Sequence, residues 1–284
     1  MTASEALDRA RTRLEAAGCD TPRVDAEFLV SHVLGVKRSS LLAAGPSELS
    51  PEDVTELERL VARRERREPL AYVLGEWGFR RLTLAVDPRV LVPRPETELV
   101  VECCLALISE AEAPRVVDVG TGSGAIALAI ADEHPGSRVT GLDASTEALA
   151  VARENARRSN LAVELLEWDL FSGLPAGPWD LVVSNPPYVR PDEIAGLEPE
   201  VRRWEPRQAL VGEGATEAVA GAARNVLRPG GALVLEVADG DAGRVRELLR
   251  GLRYGAVKVT RDLAGRDRVV EGVTTSANLR DYTT

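Results

Sequence analysis

Asn185-Pro186-Pro187-Tyr188 directly follows the apolar run Leu181-Val182-Val183 and Ser184, and these four residues carry the most definite chemistry in the chain. The apolar run reads as a buried parallel strand, which would deliver the tetrapeptide to the rim of a sheet. A planar NH2 group, whether amide or aromatic amine, is a poor nucleophile because its lone pair is delocalised. Two acceptors that bond both of its hydrogens can localise that pair. The Asn185 side-chain oxygen and the Pro186 carbonyl suit this task. Pro186 and Pro187 fix φ and hold the carbonyl in place, and the Tyr188 ring can stack on a planar group. No base need act first, because the proton can leave after the nitrogen has reacted. The gain is positioning plus electrostatics.

What the nitrogen would attack is suggested by Asp118-Val119-Gly120-Thr121-Gly122-Ser123-Gly124, which follows the strand-like Val116-Val117. Glycines permit positive φ and close approach of backbone to a ligand, and the helix expected next offers free N–H groups. A dinucleotide site spaces its glycines G-x-G-x-x-G. Here the spacing is G-x-G-x-G with Asp118 just before it. That pattern favours S-adenosylmethionine (SAM), whose ammonium Asp118 can receive directly or through water. Asp143, after Val139-Thr140-Gly141-Leu142, can accept from a ribose diol; it could instead cap the next helix, a task for which Ser145 competes. At the end of the third strand, Asp169 can accept from an adenine amino group and Leu170 can pack on the ring. The alternative there is a solvated acid at a strand end. Asn185 completes the cofactor set. Together these features describe methyl transfer to nitrogen.

The elements that must position these residues fall into three stretches. Residues 1–75 read as a small helical bundle, with Thr21-Pro22 and Ser50-Pro51-Glu52-Asp53 as helix starts and Val24, Phe28, Leu29, Val54, Leu57 and Val61 as stripes. Residues 76–94 read as a β-hairpin linker, alternating from Phe79 to Val86, turning at Asp87-Pro88 and resuming at Val90-Leu91-Val92. Pro95 then suits the first position of a helix, with acids in its first turn. From residue 95 to 284 strands and helices alternate, with strands near 115–119, 138–142, 162–166, 180–184 and 232–237. Two closing strands, near 256–260 and 268–271, are too close in sequence for a parallel crossover and should be antiparallel. The expected fold is α/β: a Rossmann-like, seven-stranded SAM-dependent methyltransferase domain preceded by a helical bundle.

The composition narrows the classes. The chain has 284 residues, a net charge of −10 and three cysteines, two of them adjacent. An acidic chain is repelled by phosphate backbones unless it builds a basic face. Three cysteines make no disulfide framework, which fits a reducing cytoplasm. No apolar run reaches membrane-span length, and no Cys/His cluster has metal-ligand spacing, so no metal is expected.

With these residues in view, the chain resembles the bacterial peptide chain release factor glutamine N5-methyltransferases. The resemblance spans nearly the whole chain. It rests on Glu68-Pro69-Leu70-Ala71-Tyr72-Val73-Leu74-Gly75, Leu91-Val92-Pro93-Arg94-Pro95-Glu96-Thr97-Glu98, Asp118 to Gly124, Ser184 to Tyr188, and Glu205-Pro206 with Ala209-Leu210. It implies methyl transfer from SAM to the side-chain amide of the glutamine in the Gly-Gly-Gln loop of release factors. Asn185 and Pro186 would hold that amide, with Pro187 beside them and Tyr188 stacked on it. Gly120 to Gly124 and Asp143 would hold the cofactor. Arg94 to Glu98 would shape the wall between cofactor and glutamine, with Arg94 and Glu96 as substrate contacts; Glu96 or Glu98 could equally be helix-capping acids. Family members often carry an aromatic residue where Leu170 stands. After Glu236-Val237-Ala238 the family usually continues to a glycine and a glutamine, whereas this chain has Asp239-Gly240-Asp241. That region is expected to lie outside the catalytic set.

The alternatives are an adenine or cytosine amino-methyltransferase acting on nucleic acid, and a non-catalytic SAM-binding adaptor. The first shares the NPPY chemistry, but the chain has a negative charge and no basic, aromatic-laced recognition domain. The second is disfavoured by an intact Asn185 beside an intact glycine loop. Release factors are the expected partners, with residues 1–75 and the loop from Arg190 to Gly214 supplying remote contacts. No stable nucleic-acid or membrane binding is expected, and the chain is expected to be monomeric.

Overall fold

The computed structural model describes residues 1–41 and 47–275. The chain divides into two compact units. One comprises Met1–Glu76 with Leu197–Trp204, and the other Trp77–Gly196 with Glu205–Thr284. The contiguous division expected from sequence is therefore altered: a short piece of the later chain belongs to the helical unit.

The helical unit is built on α1 (Ala3–Ala16), α2 (Pro22–Leu34), α3 (Pro51–Glu65) and α4 (Leu70–Leu74). Reciprocal capping boxes start two of them, Thr2 with Glu5 and Ser50 with Asp53, each satisfying two otherwise unpaired N–H groups. Ala3, Ala6, Ala10 and Leu14 form the buried stripe of α1 and meet Leu29, Val30, Leu57, Leu60 and Val61. Arg64 is buried in the same unit. Its guanidinium reaches Asp25 at 2.8 Å and Glu200 at 2.7 Å, and Arg67 also reaches Glu200, at 2.8 Å. Glu200 lies on the short helix Pro199–Trp204, so these charges tie the later segment into the bundle.

In the second unit, β1 (Glu76–Phe79) and β2 (Leu82–Ala85) pair as a two-stranded sheet. The hairpin turns at Arg80-Arg81, earlier than the expected Asp87-Pro88. Arg80 adopts a left-handed φ of 52° and its N–H donates to Glu98 Oε1 at 2.9 Å, which holds the turn. Val90 to Val92 is not a strand. The helix expected to open at Pro95 begins at Thr97, after a tight turn in which Thr97 N donates to Arg94 O and Glu98 N to Pro95 O.

The seven-stranded sheet has the order β5-β4-β3-β6-β7-β9-β8. Its strands are β3 (Arg115–Val119), β4 (Arg138–Asp143), β5 (Glu164–Glu167), β6 (Trp179–Ser184), β7 (Leu227–Glu236), β8 (Gly255–Arg261) and β9 (Asp267–Val273). The first five are parallel, and β9 runs antiparallel to β7 and β8. Side chains alternate across the sheet. Val116, Leu181, Val183 and Val234 face α5 (Thr97–Ile108) and α6 (Ala125–Glu133). Val117, Val119, Val182, Leu233 and Leu235 face the helices Ala215–Val226 and Ala242–Gly251. The result is three layers, with the central strands β3, β4, β6 and β7 buried on both faces toward their carboxyl ends. The chain runs outward from β3 to β5 and returns to β6 on the other side of β3. Such a reversal opens a crevice at the carboxyl ends of the strands, where α/β sheets bind ligands. Among the described residues, no helix is long and apolar enough to cross a membrane. Cys19, Cys103 and Cys104 are buried free thiols.

Candidate active site

The glycine loop fills one side of the crevice. Gly120, Gly122 and Gly124 all have positive φ, at 75°, 56° and 83°, a region side chains other than glycine avoid. This is why every second residue is glycine. Gly120 N and Thr121 N both donate to Leu142 O at 2.8 Å, folding the loop onto the end of β4. Gly141 makes room there: a Cβ on it would lie 2.9 Å from Thr121 Oγ1.

Asp143 stands at the tip of β4. Ser145 caps α7 (Thr146–Ser159) by accepting from Ala148 N. Asp143 accepts from Gly122 N at 2.8 Å and Ser145 N at 2.9 Å, and the Ala144 N–H also acts on it. Burial pushes its carboxyl above the usual range, against the pull of those backbone N–H groups.

These residues line a cavity of about 240 Å³. Gly120, Gly122, Asp143, Asp169, Leu170 and Asn185 are in its wall, and so are Val90 and Leu91, the residues expected to form a strand. Asp169 is partly committed, accepting from Phe171 N at 3.0 Å and Ser172 Oγ at 3.1 Å. Phe171, whose role the sequence left open, also lines the cavity and is 64% exposed. An aromatic ring is thus available one position beyond Leu170.

Asp118, Thr121, Ser123 and Gly124 are not in the wall. Asp118 lies beneath the loop, where its Oδ2 accepts from Thr121 Oγ1 at 2.6 Å and Ala127 N at 3.2 Å. Burial pushes it up to about 7, and its Oδ1 is buried without a partner. Ser123 O accepts from Asn155 Nδ2 at 2.9 Å, while the same amide exchanges bonds with Ala85 N and O on β2. Asn155 is fully buried and clamps hairpin to glycine loop; sequence reasoning passed it over.

The NPPY segment leaves β6 beside this loop, with Ser184 Oγ donating to Val119 O at 2.7 Å. Pro186 is buried and Asn185, Pro187 and Tyr188 are half-buried. Asn185 and Pro187 line this cavity, while Pro187 and Tyr188 line an adjoining cleft of about 730 Å³. The tetrapeptide is therefore a partition with one face toward each space. Val189 N donates to Leu210 O at 2.9 Å, pinning the exit of the loop. Gly212 packs so closely that a Cβ on it would lie 2.3 Å from Pro187 Cγ. Burial pushes the Tyr188 phenol up.

The PRPETE residues have separate partners. Arg94 binds both oxygens of buried Glu205 at 2.7 Å. Glu96 pairs with Arg266 at 3.2 Å, and Glu98 holds the Arg80 turn. The residue that reaches the tetrapeptide is Thr97, whose Oγ1 accepts from Asn185 Nδ2 at 3.4 Å. Glu236 at the end of β7 lies within electrostatic reach of the Thr97 side chain, so the region expected to lie outside the catalytic set abuts it.

Sheet order, glycine loop, the acid at the tip of β4 and the NPPY rim together define a methyltransferase of the Rossmann-like class. Comparison with known proteins agrees. Residues 97–197 match the methyltransferase small domain, and residues 5–75 match the PrmC N-terminal domain. A T. thermophilus 16S rRNA methyltransferase, solved with AdoMet and guanosine, shares the fold at TM-score 0.53 and 19% identity, over 70% of this chain and 49% of that one. The release factor glutamine methyltransferase of Caulobacter vibrioides is 41% identical over 96% of both chains. That of Deinococcus radiodurans is 42% identical over 95% of this chain and 98% of its own. The chain belongs to the release factor glutamine methyltransferase family.

Proposed function

We propose that this enzyme uses SAM to methylate the side-chain amide nitrogen of the glutamine in the Gly-Gly-Gln loop of peptide chain release factors. The observation that carries the reading is the partition: Asn185-Pro186-Pro187-Tyr188 separates a cavity walled by the glycine loop and Asp143 from an open cleft beside Tyr188. Donor and acceptor can enter from opposite sides and meet at Asn185.

The residues fit SAM. The three left-handed glycines bring backbone to the cavity, Asp143 has lone pairs for the ribose hydroxyls, and Leu170 and Phe171 offer apolar surface for adenine. Asp118 lies beneath the loop and outside the cavity wall, so its orphan Oδ1 would act on the ammonium through the loop or a bridging water. Bound there, the cofactor supplies an electrophilic sulfonium methyl. The chain's own part is to hold the acceptor: Asn185 Oδ1 and Pro186 O take the two amide hydrogens, and Tyr188 covers the planar group. The geometry localises the nitrogen lone pair before transfer, so positioning supplies most of the acceleration.

The second cleft argues for protein over nucleic acid. It is lined by Asp192, Glu193, Glu213, Glu217, Asp239 and Asp241 against Arg190 and Arg244, a field hostile to phosphate backbones. A glutamine flanked by glycines offers little side-chain handle, so we assign partner selection to the helical unit and to residues 190–214. Release factor should protect one or both from hydrogen exchange; protection of neither would refute that assignment. A translation factor as substrate supports a cytoplasmic location for the enzyme.

The test is methyl transfer from labelled SAM to purified release factor, with mass localisation of the methyl. Asn185→Ala should abolish transfer and leave SAM affinity within a few-fold. Asp143→Ala should weaken SAM roughly 10- to 100-fold, the worth of hydrogen bonds to a charged group. Transfer to DNA or RNA but not to release factor, or undiminished transfer by Asn185→Ala, would overturn the reading.

A further inference from the structure

The amide of Asn185 is useful only one way round. Its oxygen must meet the acceptor's N–H, and its NH2 must point elsewhere; a half-turn about χ2 would set donor against donor. Something must fix that sense. The NH2 end lies 3.4 Å from Thr97 Oγ1, at the long end for a hydrogen bond, as is common in a catalytic site before its substrate arrives. A threonine hydroxyl has one hydrogen and two lone pairs, so by itself it would tolerate either end of the amide.

Glu236 removes that freedom. Its carboxyl lies beside the Thr97 side chain, close enough for that hydroxyl to pull its pKa down, and a carboxylate can only accept. With its hydrogen turned to Glu236, Thr97 would present only lone pairs to Asn185. The chain of bonds then runs one way, from the Asn185 NH2 to the Thr97 hydroxyl to the Glu236 carboxyl. Strand register makes this proximity systematic. Ser184 pairs with Leu235, so the next residues on β6 and β7 are Asn185 and Glu236. Thr97 opens α5 beside them.

We propose that Thr97 and Glu236 are positioning residues that fix the sense of the Asn185 amide, an inference that rests on the acceptor-holding role given above. Two observations set Glu236 apart from an ordinary packing residue. It is 2% exposed and Thr97 5%, and Glu236 Oε2 has no partner. Burying a carboxyl this way is costly, and an apolar residue would pack without that cost. Burial pushes Glu236 up to about 7, in the field of Arg268 on β9 and of Arg94 and Glu96 ahead of α5; Tyr188 faces it from the acceptor loop. Protonation at Oε2 leaves the other oxygen an acceptor, so the relay keeps its direction in both charge states.

The test compares variants that keep shape and change only bonding. Thr97→Val removes the hydroxyl isosterically and should lower kcat by 10-fold or more, with SAM affinity and the KM for release factor within about 2-fold. Thr97→Ser restores the hydroxyl and should keep kcat within about 3-fold of wild type. Glu236→Gln offers Thr97 a donor as well as an acceptor, so the sense becomes degenerate and kcat falls by less than in Thr97→Val. Urea midpoints confirm that each variant is folded. Full kcat in Thr97→Val, or equal losses in Thr97→Val and Thr97→Ser, would overturn the proposal. Asn185→Ala in the same assay separates the two claims. If it is inactive while Thr97→Val is fully active, only the relay fails; if it is active, the acceptor-holding role itself fails.

Discussion

Replacing Asn155 by Ala should destabilise the second unit by about 3 to 5 kcal/mol and weaken SAM binding with it. Asn155 is 0% exposed and makes three hydrogen bonds to backbone, to Ala85 N at 2.7 Å, Ala85 O at 3.0 Å and Ser123 O at 2.9 Å. Alanine leaves all three groups without that partner, and Ser123 is itself buried. A buried polar group left unpaired costs about 1 to 3 kcal/mol, and the half-buried pair at Ala85 falls at the low end of that range. With a urea m-value near 2 kcal/mol/M, the midpoint should drop by roughly 1.5 to 2.5 M. Asn155→Asp is a sharper probe. It keeps the shape and the bond from Ala85 N, but sets a carboxylate oxygen against the two carbonyls. It should be at least as damaging. The assay is urea unfolding at neutral pH, paired with calorimetric titration of SAM. A midpoint shift under about 0.5 M for Asn155→Ala, with unchanged SAM affinity, would refute the view that this side chain clamps the glycine loop.

Three further outcomes are expected. Asp118 is held at about 7 by burial, above its unfolded value, so the folded chain alone keeps this proton between roughly pH 4 and 7 and its contribution to stability falls as pH rises through that window. Asp118→Asn removes the effect. Its stability relative to wild type should rise across the window by up to about 1.4 kcal/mol per pH unit and level off above it; a pH-independent difference in urea midpoints would refute this. Gly212→Ala puts a methyl against Pro187, and should cost about 1 to 3 kcal/mol of overpacking and lower kcat more than it changes SAM affinity, measured by steady-state kinetics. Arg64→Ala leaves buried Asp25 without its ion partner and Glu200 with Arg67 alone, which should cost about 3 kcal/mol, the low end for breaking a buried pair, and appear as faster hydrogen exchange in α2 and α3; unchanged exchange there would count against it.

The parallel strands were legible because strands buried on both faces read as apolar runs, and the two short closing strands were legible as antiparallel from their spacing. The glycine spacing and the NPPY rim were legible for a similar reason: each is a backbone geometry that few residue types permit. What stayed hidden was polar side chains working inside the protein. Attention went to Glu96 and Glu98 because they are charged, yet Thr97 between them touches Asn185. Asn155 had a signal of its own, since it continues the buried stripe of Ala148, Leu149, Val151 and Ala152 at helical spacing. A polar residue on such a stripe must be paying its desolvation with bonds, and the glycine loop is where they go. The hairpin turn was misplaced because its cause, Glu98 accepting from Arg80 N, lies outside the hairpin. The same holds for Leu197–Trp204, whose membership of the helical unit depends on arginines far back in the sequence.

The reversal of strand order between β3 and β6 also sets a timetable for biosynthesis. The strands β3, β4 and β5 pair with near neighbours in sequence, so this part of the donor half can assemble as soon as it emerges. The bond that brings the acceptor rim to it, Ser184 Oγ to Val119 O, spans 65 residues. At roughly 5 to 20 residues per second, the ribosome delivers the second partner several seconds after the first. During that interval the nascent chain presents β3 with an open edge, waiting for β6. An enzyme assigned to the machinery that ends translation thus acquires its own active site only late in being translated.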